Sequence, residues 1–85
     1  MDHVEIIAIK IQTQRDLLKI VDEIHRGNVI IASFSAFKNI KIRRDLVRRI
    51  LETSQKMRFN ILGVGSEYII IAPPKIRIKI ERDGD

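Results

Sequence analysis

Gly63-Val64-Gly65 is the stretch of this chain closest to a phosphate-holding loop. Such a loop works when it leaves a strand and opens a helix, so that backbone N–H groups and the helix N-terminus converge on the anion. Here Ser66-Glu67 follows, and then Tyr68-Ile69-Ile70-Ile71, aromatic and β-branched residues that favour a strand. No third glycine stands at the required spacing, and there is no Gly-Lys-Ser/Thr. The residues predict instead a tight Gly65-Ser66-Glu67 turn between antiparallel strands, with Gly63 allowing a bulge or a close approach in the first strand.

Catalysis would need a nucleophile beside a positioned base. The chain has no Cys, and Ser33, Ser35, Thr53, Ser54 and Ser66 stand in no recognisable relation to one. His3 lies near the N-terminus, and His25 falls at the end of a helical pattern, where an imidazolium would complement the helix dipole. No carboxylates cluster with histidine at metal-ligand spacing. The reading is of a non-enzymatic protein, with no catalytic, cofactor-binding or metal-binding residue to name.

Charge placement is the stronger signal. Between Lys38 and Arg58 stand eight cations (Lys38, Lys41, Arg43, Arg44, Arg48, Arg49, Lys56, Arg58) and two anions (Asp45, Glu52), which exceeds the net +5 of the whole chain. Arg44 and Arg48 are four apart, as are Asp45 and Arg49, so a helix here carries a basic flank beside its apolar stripe. A basic helix serves phosphate backbones or an acidic protein segment, or it is simply a solvated face. Aromatics are sparse, limited to Phe34, Phe37, Phe59 and Tyr68, which argues against base stacking on single strands.

The elements that would position these residues follow from periodicity. At 85 residues there is room for one domain, spanning 1–85, and one modest core. Eighteen isoleucines point to a β-rich core. His3 to Ile11 reads as a strand buried on much of both faces. Leu17, Leu18, Val21 and Ile24 mark a helix from Gln14 to His25, with Thr13 as N-cap and Gly27 as its stop. Asn28 to Phe34 suits a central strand, parallel to the first. A second helix from about Arg43 to Met57 shows Leu46, Val47, Ile50, Leu51, Ser54 and Met57 on one side. Phe59 to Val64, Tyr68 to Ala72 and the strictly alternating Lys75 to Glu81 complete the order, the last two separated by Pro73-Pro74. The expected fold is α/β: a compact two-layer sandwich of order βαβαβββ, with about five strands in a mixed sheet and two helices on one face. The absence of Cys, of an apolar run of about 20 residues and of a signal-peptide layout suggests a cytoplasmic protein.

Three stretches carry a family resemblance: IHRGNVIIASFSAF (Ile24 to Phe37), RRDLVRRILETSQKM (Arg43 to Met57), and ILGVGSEYIIIAPPKIRI from Ile61, with Gly63, Gly65, the triple isoleucine, Pro73, Ile76 and Ile78. In order and spacing the chain resembles the SepF cell-division family from about Val4 to Ile80, particularly its short archaeal members. The resemblance implies a domain that dimerises and assembles further, binds the C-terminal tail of the tubulin-like protein FtsZ, and acts at the division site. It also implies that the glycine turn, Gly63 and Gly65, shapes assembly surfaces. Members of the family tether to membranes through an N-terminal amphipathic helix and linker. MDHVEI offers neither, so membrane association by that route is not expected. Where members commonly carry a glycine pair before the third strand, this chain has Arg58-Phe59, so the local turn should differ.

The expected partner-binding residues are Phe37, Leu46, Val47 and Ile50 for apolar contact, with Arg44, Arg48 and Arg49 steering an acidic tail. Each apolar position is equally at home in a core or a dimer interface. The alternative is a small basic nucleic-acid-binding protein of the chromatin type, holding duplex backbone through Lys38 to Arg49 and the Lys75, Arg77, Lys79 stripe.

Overall fold

Strands rich in Val, Ile and Ala pair their peptides in ladders and leave their side chains to alternate between faces. In the computed structural model, which describes residues 3–81, this yields β1 (Ile6–Lys10), β2 (Val29–Ser33), β3 (Asn60–Val64) and β4 (Tyr68–Ala72). Two helices, α1 (Arg15–His25) and α2 (Ile40–Met57), complete the order βαβαββ. Of the expected 1–85 domain, residues 1–2 and 82–85 lie outside the described residues.

The sheet runs β1-β2-β4-β3. β1 and β2 are parallel, as their helical crossover requires, and β4 is antiparallel to both β2 and β3. The β3–β4 register is continuous from Asn60↔Ala72 to Val64↔Tyr68, so Gly63 makes no bulge. Gly65 takes a φ of +62°, a left-handed conformation that favours glycine, and opens the three-residue turn Gly65-Ser66-Glu67.

Both helices pack on one face. Ile20 and Ile24 of α1 and Leu46 and Ile50 of α2 meet Ile30, Ala32, Ile69 and Ile71 of the sheet, with Phe34 and Ile11 closing the top. Ile71 is fully buried and central, so truncating it to Ala would cost about 2–5 kcal/mol. Leu18, placed on the α1 stripe by spacing, is 73% exposed, and Ile20 takes the core position instead. At 100° per residue Leu18 points well away from the Ile20–Ile24 line.

Joints are made by side chains that satisfy loop backbone. Asp16, rather than Thr13, organises the start of α1. Its Oδ2 accepts from the N–H groups of Gln12 (2.7 Å) and Thr13 (3.0 Å), while Gln14 occupies the N-cap without a side-chain bond. Asn28 is buried, accepts from the Glu5 N–H (3.0 Å) and donates to the Glu23 carboxylate (3.1 Å), tying β1, α1 and β2 together.

The expected fifth strand does not form. Residues 75–81 carry no ladder; Pro73-Pro74 ends β4, and the Ile76 N–H turns back to the Pro73 carbonyl (2.9 Å). β4 already has a strand on each side, so a chain leaving it has no free edge beside it to join. The turn after α2 is closed by Arg58-Phe59. Arg58 itself adopts the left-handed conformation (φ 60°), and the Phe59 N–H reaches the Ser54 carbonyl (2.9 Å), closing a Schellman cap.

Candidate functional site

α2 begins three residues earlier than its core periodicity suggests, because Asn39 caps it: Oδ1 accepts from the N–H groups of Lys41 (2.9 Å) and Ile42 (3.3 Å). The added turn brings Ile40 into register with Arg44, Val47 and Leu51, at offsets of four, seven and eleven. These residues share one flank of the helix. Ile40 is 63% and Leu51 44% exposed, Val47 is half-buried, and Arg44 and Arg48 stand beside them. Together with Arg43 they line a shallow groove of about 400 Å³.

Leu51 thus leaves the core side on which simple spacing placed it and joins this outward stripe. Leu46 and Ile50, expected as partner contacts, are 2% and 4% exposed and belong to the core. Arg49 lies on the opposite flank, lining a gap of about 30 Å³ between the helices with Leu17, Val21 and Phe59. Phe37 packs half-buried against the core in the loop before α2, and its carbonyl accepts from Arg43 Nη2 (2.6 Å), which holds that loop to the helix. Of the expected contact set, Arg44, Val47 and Arg48 are brought together; Ile40 and Leu51 are the members that spacing missed.

The cations of this flank differ in their pairing. Asp45 is bound by Arg48 (2.6 Å, three residues on) rather than by Arg49. Arg44 has no ion pair among the described residues and also walls the adjacent depression formed by Lys41, Asp45 and Arg48. An apolar ridge bordered by an unneutralised guanidinium can seat a short segment that presents apolar side chains next to a carboxylate.

A second surface is the sheet face turned away from the helices. The ladder places Ala8, Ile31, Ile70 and Leu62 in one row across all four strands. Ile6, Val64 and Tyr68 lie on the same face, and Ile6 is 69% exposed. Sheets of this kind solvate one face with polar side chains or cover it; here Ile31, Ile70 and Leu62 are half-buried while Ile6, Val64 and Tyr68 stand exposed. Gly63 has its side-chain position on the helix side, in register with Ile69, and a Cβ there would meet nothing within 4 Å. Neither glycine touches the α2 groove.

Among the described residues no three His, Cys, Asp or Glu side chains gather as metal ligands, and no helix is long and apolar enough to cross a membrane. Asp16, whose carboxyl is held below its ordinary pKa, serves a structural joint. The Gln12 and Thr13 N–H groups lower it most, burial opposes them, and Lys19 at 3.5 Å adds to the lowering.

Comparison with known proteins bears on the fold and the family. No curated protein sequence matches the chain significantly. Its fold is similar to that of a SepF-like protein from Archaeoglobus fulgidus, with a TM-score of 0.81 and 21% identity over 95% of this chain and 99% of that one. It is equally similar to a SepF-like protein from Pyrococcus furiosus, with a TM-score of 0.81 and 22% identity over 93% of this chain and 98% of the other. The family model for the cell division protein SepF matches residues 6–78, all six elements and the proline turn included, and the chain therefore belongs to the SepF family.

Proposed function

We propose that this protein is a non-enzymatic cell-division adaptor that forms homodimers and binds the C-terminal tail of FtsZ or a similar filament protein. The observation that carries the reading is the α2 flank, where exposed Ile40 and Leu51 flank Val47 and lie against Arg44 and Arg48. A division-filament tail with apolar and acidic residues suits it: the apolar contacts supply affinity, and the arginines steer the approach. Duplex backbone would use the cations and gain nothing from the isoleucine and leucine between them. The uncovered sheet face suits a second copy, because a two-fold pair would bury the Ala8–Ile31–Ile70–Leu62 row of each against the other at the spacing of packed sheets.

The test is fluorescence anisotropy of a labelled FtsZ tail peptide from the same organism, titrated at two salt concentrations beside a labelled DNA duplex. Saturable peptide binding that survives the higher salt, with weak duplex binding, is the expected result. Duplex binding that collapses with salt, without peptide binding, overturns the adaptor reading in favour of a nucleic-acid partner. Light scattering on the wild type and on Ile70→Asp tests the dimer, which is expected to fall to a folded monomer in the variant.

A further inference from the structure

Residues 75–81 alternate without exception between Lys75, Arg77, Lys79, Glu81 and Ile76, Ile78, Ile80. That is the pattern of a strand with one apolar and one cationic face, yet the segment has no ladder. Its described backbone hydrogen bonds are the turn from Ile76 to Pro73 and the Asn60 Nδ2 donation to the Ile76 carbonyl (2.6 Å). Ile76 and Ile78 are half-buried, while Ile80 is exposed. The same chain presents two unpaired sheet edges, β1 and β3, apolar but for Lys10 and Asn60, and such edges need covering.

We infer that residues 75–81 of one copy add as a strand to the outer edge of β1 in a second copy, reciprocally across the homodimer proposed above, on which this inference rests. Charge chooses the edge. The region that forms β1 and α1, residues 3–25, holds Glu5, Asp16, Asp22 and Glu23 against Lys10, Arg15 and Lys19, a net −1. Residues 38–58, which supply α2 and precede β3, carry +6. A strand whose polar face carries Lys75, Arg77 and Lys79 against Glu81, a net +2, is repelled from the α2 side and accepted beside β1.

Reach chooses the copy. The position outside β1 lies three strand spacings from β4, about 14 Å. From Ala72 to Lys75 the chain spans at most about 10 Å. Its own β1 is therefore too far, and only a second copy can bring a β1 edge to this segment. With Ile76, Ile78 and Ile80 turned to the open face they continue the apolar row beyond Ile6 and Ala8, and Lys75, Arg77 and Lys79 fall on the side of α1.

Because the chain has no Cys, engineered thiols report the pairing directly. Ala8→Cys protein is mixed in turn with Ile76→Cys, Ile78→Cys and Ile80→Cys protein, all full-length, under mild oxidation. Non-reducing gels show any mixed disulfide, and light scattering is run on each sample. A mixed disulfide in at least one pairing, well above that of Ala8→Cys with a Lys56→Cys control and lost on adding Ile78→Pro to the partner chain, is the expected result. Dimers by scattering with no mixed disulfide above the control would overturn the strand exchange and leave the homodimer standing. Monomers at every concentration would overturn both.

Discussion

Removing the apolar ridge of α2 separates tail capture from simple charge attraction. Burying an Ile or Leu completely is worth about 1.5–3 kcal/mol. Ile40 and Leu51 retain 63% and 44% of their exposure in the free protein, so covering both supplies roughly 2 kcal/mol of binding. The double variant Ile40→Ser, Leu51→Ser should then weaken the tail peptide by roughly 30-fold. Neither residue contributes to the buried cluster, so the melting temperature should move little. Anisotropy titrations of variant and wild type at two salt concentrations supply the measurement, with Arg44→Glu in parallel. The arginine variant should lose most at low salt and the ridge variant equally at both. A ridge variant that binds within twofold of wild type would refute the placement of the site on this flank.

Four further outcomes follow from single residues. Arg58→Gly removes a side chain from a left-handed position, which should stabilise by up to about 1 kcal/mol and raise the melting temperature by roughly 5 °C, read by calorimetry. Gly65→Val places a β-branched residue at φ +62° and should destabilise by about 1–2 kcal/mol, whereas Gly63→Ala, with open space for its Cβ, should leave protomer stability unchanged in the same melts. Asp16 has a folded-state pKa below its unfolded value near 3.8, so its contribution is complete above that value and lost as the pH falls through the folded pKa. Denaturant titrations from pH 5 to pH 2 should therefore show a smaller acid-side loss for Asp16→Asn than for wild type.

Most of the architecture was legible because it rests on local periodicity. The isoleucine-rich runs around β1, β2 and β4, the Gly27 stop and the Gly65 turn are each short-range and appear where their residues place them, but β1, expected to be buried on much of both faces, is an edge strand with Ile6 exposed. The misreadings share a cause. Leu18 and Leu51 are apolar at helical spacing and yet exposed, because which 100° sector of a helix meets the sheet is set by the partner surface and not by the helix. Asn39 is a strong cap signal, and taking it as the start of α2 would have brought Ile40 into the stripe with Val47 and Leu51.

By itself the sequence determined the class of fold, the parallel β1–β2 pairing demanded by a helix between them, the basic character of α2 and the family to which the chain belongs. Tertiary structure alone decided that Leu46 and Ile50 are core while Val47 borders solvent, that Arg49 is separated from Arg44 and Arg48, and that the alternating segment after Pro73-Pro74 has no ladder. The physical reason is common to all of these. A periodic pattern states that a residue wants a partner, but only the packed chain shows whether the partner is already occupied, as both sides of β4 are.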